Sequence, residues 1–207
     1  MLAALPLLAA LCAPARAQDA FVRGVKGSVS LRPFGQERSI AAASGDALIF
    51  GDGVTTGPQS AAHIVLPSGG VILLGENTTF ILDGDPDDVL ATVSVGEFLI
   101  GFKRKRGLGQ SFRTSTPGAF AAADGSLFWG RVDADKTTLF AAFAKEVAVT
   151  AAGKTATIKA GERVAVPYGK PPATPKPHSV PREYLAVFAI DGSLQGLDAL
   201  VDGKAIR

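Results

Sequence analysis

Four aspartates, Asp83, Asp85, Asp87 and Asp88, crowd one short turn. Hard carboxylate oxygens at alternate positions are what a calcium ion takes. Counted from Asp83 as first ligand, however, the EF-hand pattern fails. Asp88 stands at the sixth place, where glycine is needed, and Ser94 at the twelfth, where glutamate should close the loop. The cluster therefore reads as a solvated acidic turn, and no metal is expected.

The other reactive residue types are thinly spread. The chain has 2 histidines, His63 in an apolar run and His178 in a proline-rich one. Their separation makes a poor zinc site or catalytic triad. No G-x-S-x-G, H-E-x-x-H or G-x-x-x-x-G-K-[ST] pattern occurs. The single cysteine, Cys12, lies in the opening segment. Its removal with that segment leaves no thiol for disulfides, catalysis or metal binding. No cofactor and no catalytic residue are expected, and the chain reads as a non-enzyme.

Two features suit binding. Lys103-Arg104-Lys105-Arg106 is a basic loop able to meet an anionic surface such as lipopolysaccharide phosphates, wall polymers or lipid heads. A solvated loop is the plainer reading. The aromatics Phe112, Phe120, Phe128, Trp129, Phe140 and Phe143 gather in the second half. Phe128 and Trp129 are adjacent, so on a strand they face opposite sides. Core packing is the plainer reading of these rings; one of the pair then belongs to the core, and Trp129 is the best candidate for an exposed ring that could stack on a sugar. Nucleic-acid binding would need a wider basic face with stacking aromatics, and the net charge of +2 does not provide it.

These residues must be positioned by short strands. Hydrophobic residues make up 47% of the chain and charged ones 19%, a globular balance, and 24 glycines with 13 prolines call for many turns. Val25, Val29 and Leu31 alternate with polar neighbours as a half-buried strand pair around Gly27. Residues 37–44 are alanine-rich and suit a strand end or a short turn of helix. Strands are expected at 54–56, 61–66, 71–74, 78–82, 89–95 and 96–102. More are expected at 111–116, 126–132, 137–143, 146–150, 155–159 and 163–166. No βαβ alternation appears, which excludes doubly wound enzyme folds. The class is all-β: a sandwich, jelly roll or flattened β-roll.

The ends differ in character. Residues 1–17 are an apolar run closed by Ala15-Arg16-Ala17, the small-x-small pattern of a cleavable signal peptide cut after Ala17. The usual preceding positive stretch is missing, which points to a start further upstream. The run is short for a membrane span. The expected location is therefore the periplasm or the outside of the cell, with no stable membrane span after cleavage. A β domain follows over 20–166, and residues 167–181 form a proline-rich, extended linker. Residues 182–207 make a C-terminal tail, too short for its own core and read as a docking element. Leu194, Leu197, Leu200 and Val201 have helical spacing within it.

The stretch from Gly45 to Gly70 organises the β domain. It holds two Gly-Asp pairs, Gly45-Asp46 and Gly51-Asp52, then Val54-Thr55-Thr56, Gly57-Pro58 and an apolar run from Ala61 to Leu66. Glycine accepts positive φ, and aspartate can hydrogen-bond nearby backbone, so Gly45, Asp46, Gly51, Asp52 and Gly57 read as turn formers. In this order the stretch resembles the FecR domain pattern G-D-x-L-x-x-G-D-x-V-x-T-G. A second block of that family, F-x-V-x-T-P-x-A, is echoed from Phe112 to Ala119, with Asp124-Gly125-Ser126 where the family has Arg-Gly-Thr. The resemblance covers about residues 24–166. It implies a stand-alone, exported FecR-like β module without an anti-sigma region, acting in protein interaction or envelope sensing through an envelope protein partner. The alternative is a carbohydrate- or peptidoglycan-binding module that takes a glycan or cell-wall polymer.

Overall fold

The computed structural model describes residues 18–102, 111–178 and 188–190. The segment 1–17, the basic loop at 103–106 and all of the C-terminal tail except 188–190 lie outside the described residues.

The described strands, in chain order, begin with β1 (Ala20–Lys26), β2 (Val29–Arg32), β3 (Ile40–Ala41), β4 (Ala47–Leu48), β5 (Gly53–Thr56) and β6 (Ala61–Val65). They continue with β7 (Val71–Leu74), β8 (Thr79–Gly84), β9 (Asp88–Gly101), β10 (Ser111–Ser115), β11 (Phe120–Ala123) and β12 (Leu127–Val132). The last are β13 (Thr138–Ala144), β14 (Glu146–Ala151), β15 (Lys154–Lys159), β16 (Glu162–Val166) and β17 (Lys176–Pro177). Their pairings build two sheets. Sheet A runs β4-β1-β6-β7-β9-β12-β13-β16-β17. Sheet B runs β3-β2-β5-β8-β9-β10-β11-β14-β15. All pairs are antiparallel except β9 with β10.

The fold is all-β, as the turn-punctuated sequence predicts, and the two sheets enclose one core. Sheet A contributes Ile64, Ile72, Phe98, Phe128 and Phe140, and sheet B contributes Val54, Phe80, Leu82, Val147 and Ile158. Phe98 is central. Its ring meets Phe128 edge-on at 6.5 Å and Phe140 at 6.3 Å, the T-shaped geometry that aromatic quadrupoles favour.

Strand β9 belongs to both sheets, where the sequence suggests two strands, 89–95 and 96–102. Its first half pairs with β8 and β10, its second with β7 and β12. The change of sheet falls at Gly96, which has φ +102°. A Cβ there would lie 2.4 Å from the Thr78 Cα. Only glycine gives both the conformation and the clearance, so the chain bends without breaking its ladder.

Three other stretches are defined more closely than the sequence allows. The alanine-rich 37–44 stretch takes the strand alternative, with the two-residue strand β3 followed by a turn. Strand β11, Phe-Ala-Ala-Ala, carries little strand propensity and was not expected; its partners β10 and β14 hold it in place. The proline-rich stretch does not stand free of the domain. Lys176 and Pro177 pair with β16, Ala173 N–H donates to the Ala165 carbonyl at 2.9 Å, and His178 N–H donates to the Gly161 carbonyl at 2.7 Å. Proline suits such an edge because it has no N–H to offer the ladder.

The two Gly-Asp pairs form the same turn twice. Gly45 has φ +97° and Gly51 +98°, as the third residue of a type II turn requires. Asp46 N–H donates to the Ala43 carbonyl at 3.2 Å, and Asp52 N–H to the Ile49 carbonyl at 3.1 Å. Each carboxylate then reaches back to the first residue of its turn: Ala43 N–H to Asp46 Oδ2 at 2.7 Å, Ile49 N–H to Asp52 Oδ2 at 2.9 Å. Gly57 behaves differently. The positive φ of its turn falls on Gln59, at 52°. Gly57 itself links neighbouring segments, with its N–H on the Ser28 carbonyl and its carbonyl accepting from Asn77 N–H.

Candidate functional site

Strand alternation sends Phe128 into the core and Trp129 to the opposite side of β12, as expected. Trp129 is nevertheless only 5% exposed. Trp129 belongs to a second apolar cluster with Leu73, Leu99, Leu127, Ala141 and Phe188. The expectation of an exposed Trp129 platform is thereby overturned, because a residue near the C-terminus lies over it.

Register explains how this cluster assembles. His63 pairs with Leu73, Leu73 with Leu99, Leu99 with Trp129, and Trp129 with Ala141. One cross-strand row thus spans five adjacent strands, with side chains on the same face. Strands lie about 4.8 Å apart, so the row is roughly 19 Å long. At one end, His63 faces Gly24 of β1; at the other, Ala141 faces Arg163 of β16.

Phe188 is fully buried against this row. Its backbone carbonyl lies 2.5 Å from His63 Nε2. A carbonyl can only accept, so Nε2 carries the proton and His63 is held as that tautomer. His63 is itself buried, and burial pushes its pKa below the usual histidine value; the Phe188 carbonyl opposes this and Arg23 adds to it. Ile190 completes the seat: a Cβ on Gly24 would lie 3.3 Å from Ile190 Cδ1. The bare glycine leaves room for that side chain.

A polar rim borders the row. Glu97 pairs across the strands with Arg131, and Arg131 bonds Asp133 at 2.9 Å and lies 3.9 Å from Glu97. The guanidinium also sits 5.9 Å from the Trp129 ring centre. Burial raises the Glu97 pKa, Arg131 pulls it back, and Glu76 and Asp133 add to the rise.

The other predicted residues are placed elsewhere. The acidic turn is occupied by its own contacts. Asp85 Oδ1 accepts from the N–H groups of Asp87 and Asp88, Asp83 accepts from Thr92, and Asp88 pairs with Arg113 and Ser111. His178 follows β17, six strands along sheet A from β6, or roughly 29 Å from His63 measured along the sheet at ordinary strand spacing. No group of three His, Cys, Asp or Glu side chains suited to a metal occurs among the described residues. Phe112, Phe128 and Phe140 are core residues.

The row of Leu73, Leu99 and Phe188 was not picked out from sequence as a site. A signal for it exists. Val71–Leu74 and Phe98–Ile100 are unbroken apolar runs, and an antiparallel strand with one wet face should alternate. Such runs announce that both faces are covered.

The sequence matches no family model and no curated protein. In three dimensions the chain is similar to two crystal structures of a candidate anti-sigma factor from Parabacteroides distasonis. For one, the TM-score is 0.55 at 18% identity, covering 61% of this chain and 60% of the other. For the second, the TM-score is 0.57 at 17% identity, covering 65% and 63%. The match spans less than two thirds of those chains' length, and it concerns the fold.

Proposed function

We propose that this chain is an exported, non-catalytic, FecR-like β module that works by protein interaction in envelope sensing or signalling. The observation that carries the reading is the row on sheet A: a largely apolar row across five strands, on which Phe188 from the C-terminal tail is fully buried. Such a face is built to hold a chain segment. The fold likeness to candidate anti-sigma factors and the repeated Gly-Asp turns, which follow the FecR pattern, support the same reading. Fold alone fixes no function, so the interaction face is the stronger ground.

The chemistry of the described site agrees with binding. His63 is spent on the Phe188 carbonyl, and Glu97 is engaged with Arg131. The wall-polymer alternative loses its principal ring with the burial of Trp129. Export rests on the apolar 1–17 segment and its cleavage pattern.

Crosslinking of residues 18–207 in envelope fractions, with and without prior digestion of wall glycan, tests the proposal. A defined protein partner captured equally from both samples is the expected result. Capture of glycan alone, abolished by digestion, overturns it in favour of a wall-binding module.

A further inference from the structure

We infer that the row of His63, Leu73, Leu99, Trp129 and Ala141 is an aromatic-anchor peptide site. The chain's own Phe188 plugs it, and a partner segment bearing an aromatic-x-aliphatic motif competes for it. The inference deepens the interaction-module reading and rests on it, by naming the face and the chemistry of the segment recognised.

The geometry is that of a recognition site in three parts. A flat apolar floor takes an aromatic ring: Phe188 is fully buried on Leu73, Leu99, Trp129 and their neighbours. One polar group fixes the direction of the segment, because the His63 Nε2–H points at the carbonyl of that aromatic residue. A notch at Gly24 takes the side chain two residues on, Ile190. Phe188 and Ile190 both contact sheet A, so the two side chains meet the sheet together. Mostly apolar sites with a few convergent polar groups are the usual form of a ligand seat. The motif it selects is aromatic-x-aliphatic, with the aromatic residue's carbonyl turned toward His63.

The occupant in this structure is covalently attached, which sets the terms of competition. A tethered segment acts at an effective concentration on the order of millimolar. A partner must exceed that, so weak apolar segments are rejected and a segment that makes further contacts is admitted.

Trp129 is the chain's 1 tryptophan and lies in the site, so its emission reports occupancy directly. The probe is a synthetic peptide of residues 184–192, YLAVFAIDG, added to the full chain and to its Phe188→Ala variant under selective tryptophan excitation. Emission of the variant should shift to the red as water reaches the indole. The peptide should reverse that shift saturably, with at least tenfold higher apparent affinity for the variant than for the parent chain. A peptide with alanine in place of its phenylalanine should have no effect, and His63→Leu added to the variant should weaken binding several-fold. Parent-like emission from the folded Phe188→Ala protein, or no saturable response to the peptide, overturns the inference. Circular dichroism establishes that the variant is folded. If it is not, Ile190→Ala serves instead: peptide affinity between parent and tenfold is expected, and parent-like affinity overturns the site. Failure of the peptide with continued capture of a protein partner removes this site and leaves the interaction module. Peptide binding with no protein partner captured does the reverse.

Discussion

The Asp52 carboxylate ties Phe34 to the second Gly-Asp turn: Oδ1 accepts the Phe34 N–H at 2.7 Å while Oδ2 closes the turn onto Ile49. The contact joins positions 18 apart in sequence, and Asp52 is 4% exposed. The Phe34 ring lies where a Cβ on Gly51 would be, at 2.3 Å from that position. Asp46, in the matching turn, is half-buried and its side chain makes the local bond to Ala43.

The two aspartates should therefore differ on substitution. Asp52→Ala strands two amides and is expected to cost about 2–3 kcal/mol, whereas Asp46→Ala should cost about 1 kcal/mol. Urea unfolding of both variants measures the difference; equal losses would show that the Phe34 bond contributes nothing.

Two glycines of nearly equal φ should differ as well. Gly45 has open space around its missing Cβ, so Gly45→Ala meets only the left-handed conformation, worth about 1 kcal/mol. Gly96→Ala adds a clash with Thr78 backbone, and a loss of about 3 kcal/mol or more is expected. Similar melting temperatures for the two variants would refute the account of the β9 bend.

Acid should weaken the fold through its histidines. Burial lowers the pKa of both His63 and His178 from 6.5. The unfolded chain thus takes up protons that the folded one refuses as pH falls below 6.5, and stability drops across that window. His63→Gln keeps a donor for the Phe188 carbonyl and should flatten the drop. A melting temperature as acid-sensitive as the parent's would place the effect elsewhere.

Glu97 works in the opposite sense. Its raised pKa means the folded protein holds a proton above pH 4.5 that the unfolded chain has released, so its contribution fades as pH rises through that region. Glu97→Gln should be relatively more stabilising near neutrality than at pH 4.5. The reverse order in pH-dependent denaturation would mean that the Arg131 contact outweighs burial.

Much of this architecture was legible because turns leave chemical marks. Gly45-Asp46 and Gly51-Asp52 announce positive φ followed by a carboxylate that can cap, and both turns form. The all-β class followed from such punctuation and from period-two runs. What stayed hidden depended on distant partners. Phe-Ala-Ala-Ala at β11 becomes a strand only between β10 and β14. Gly96 looked like a strand break, since nothing local tells that Thr78 packs against it. The indole of Trp129 faces outward as alternation requires, but its cover comes from Phe188, which sequence pattern cannot place.

The contact between His63 and Phe188 spans 125 positions. Every strand of sheet A can pair before residue 188 has been made, so the apolar row forms early and is closed last. During synthesis this face stays uncovered until the last residues are made. The timing of the last residues, more than their number, decides how long it stays open to aggregation or to a chaperone's grip.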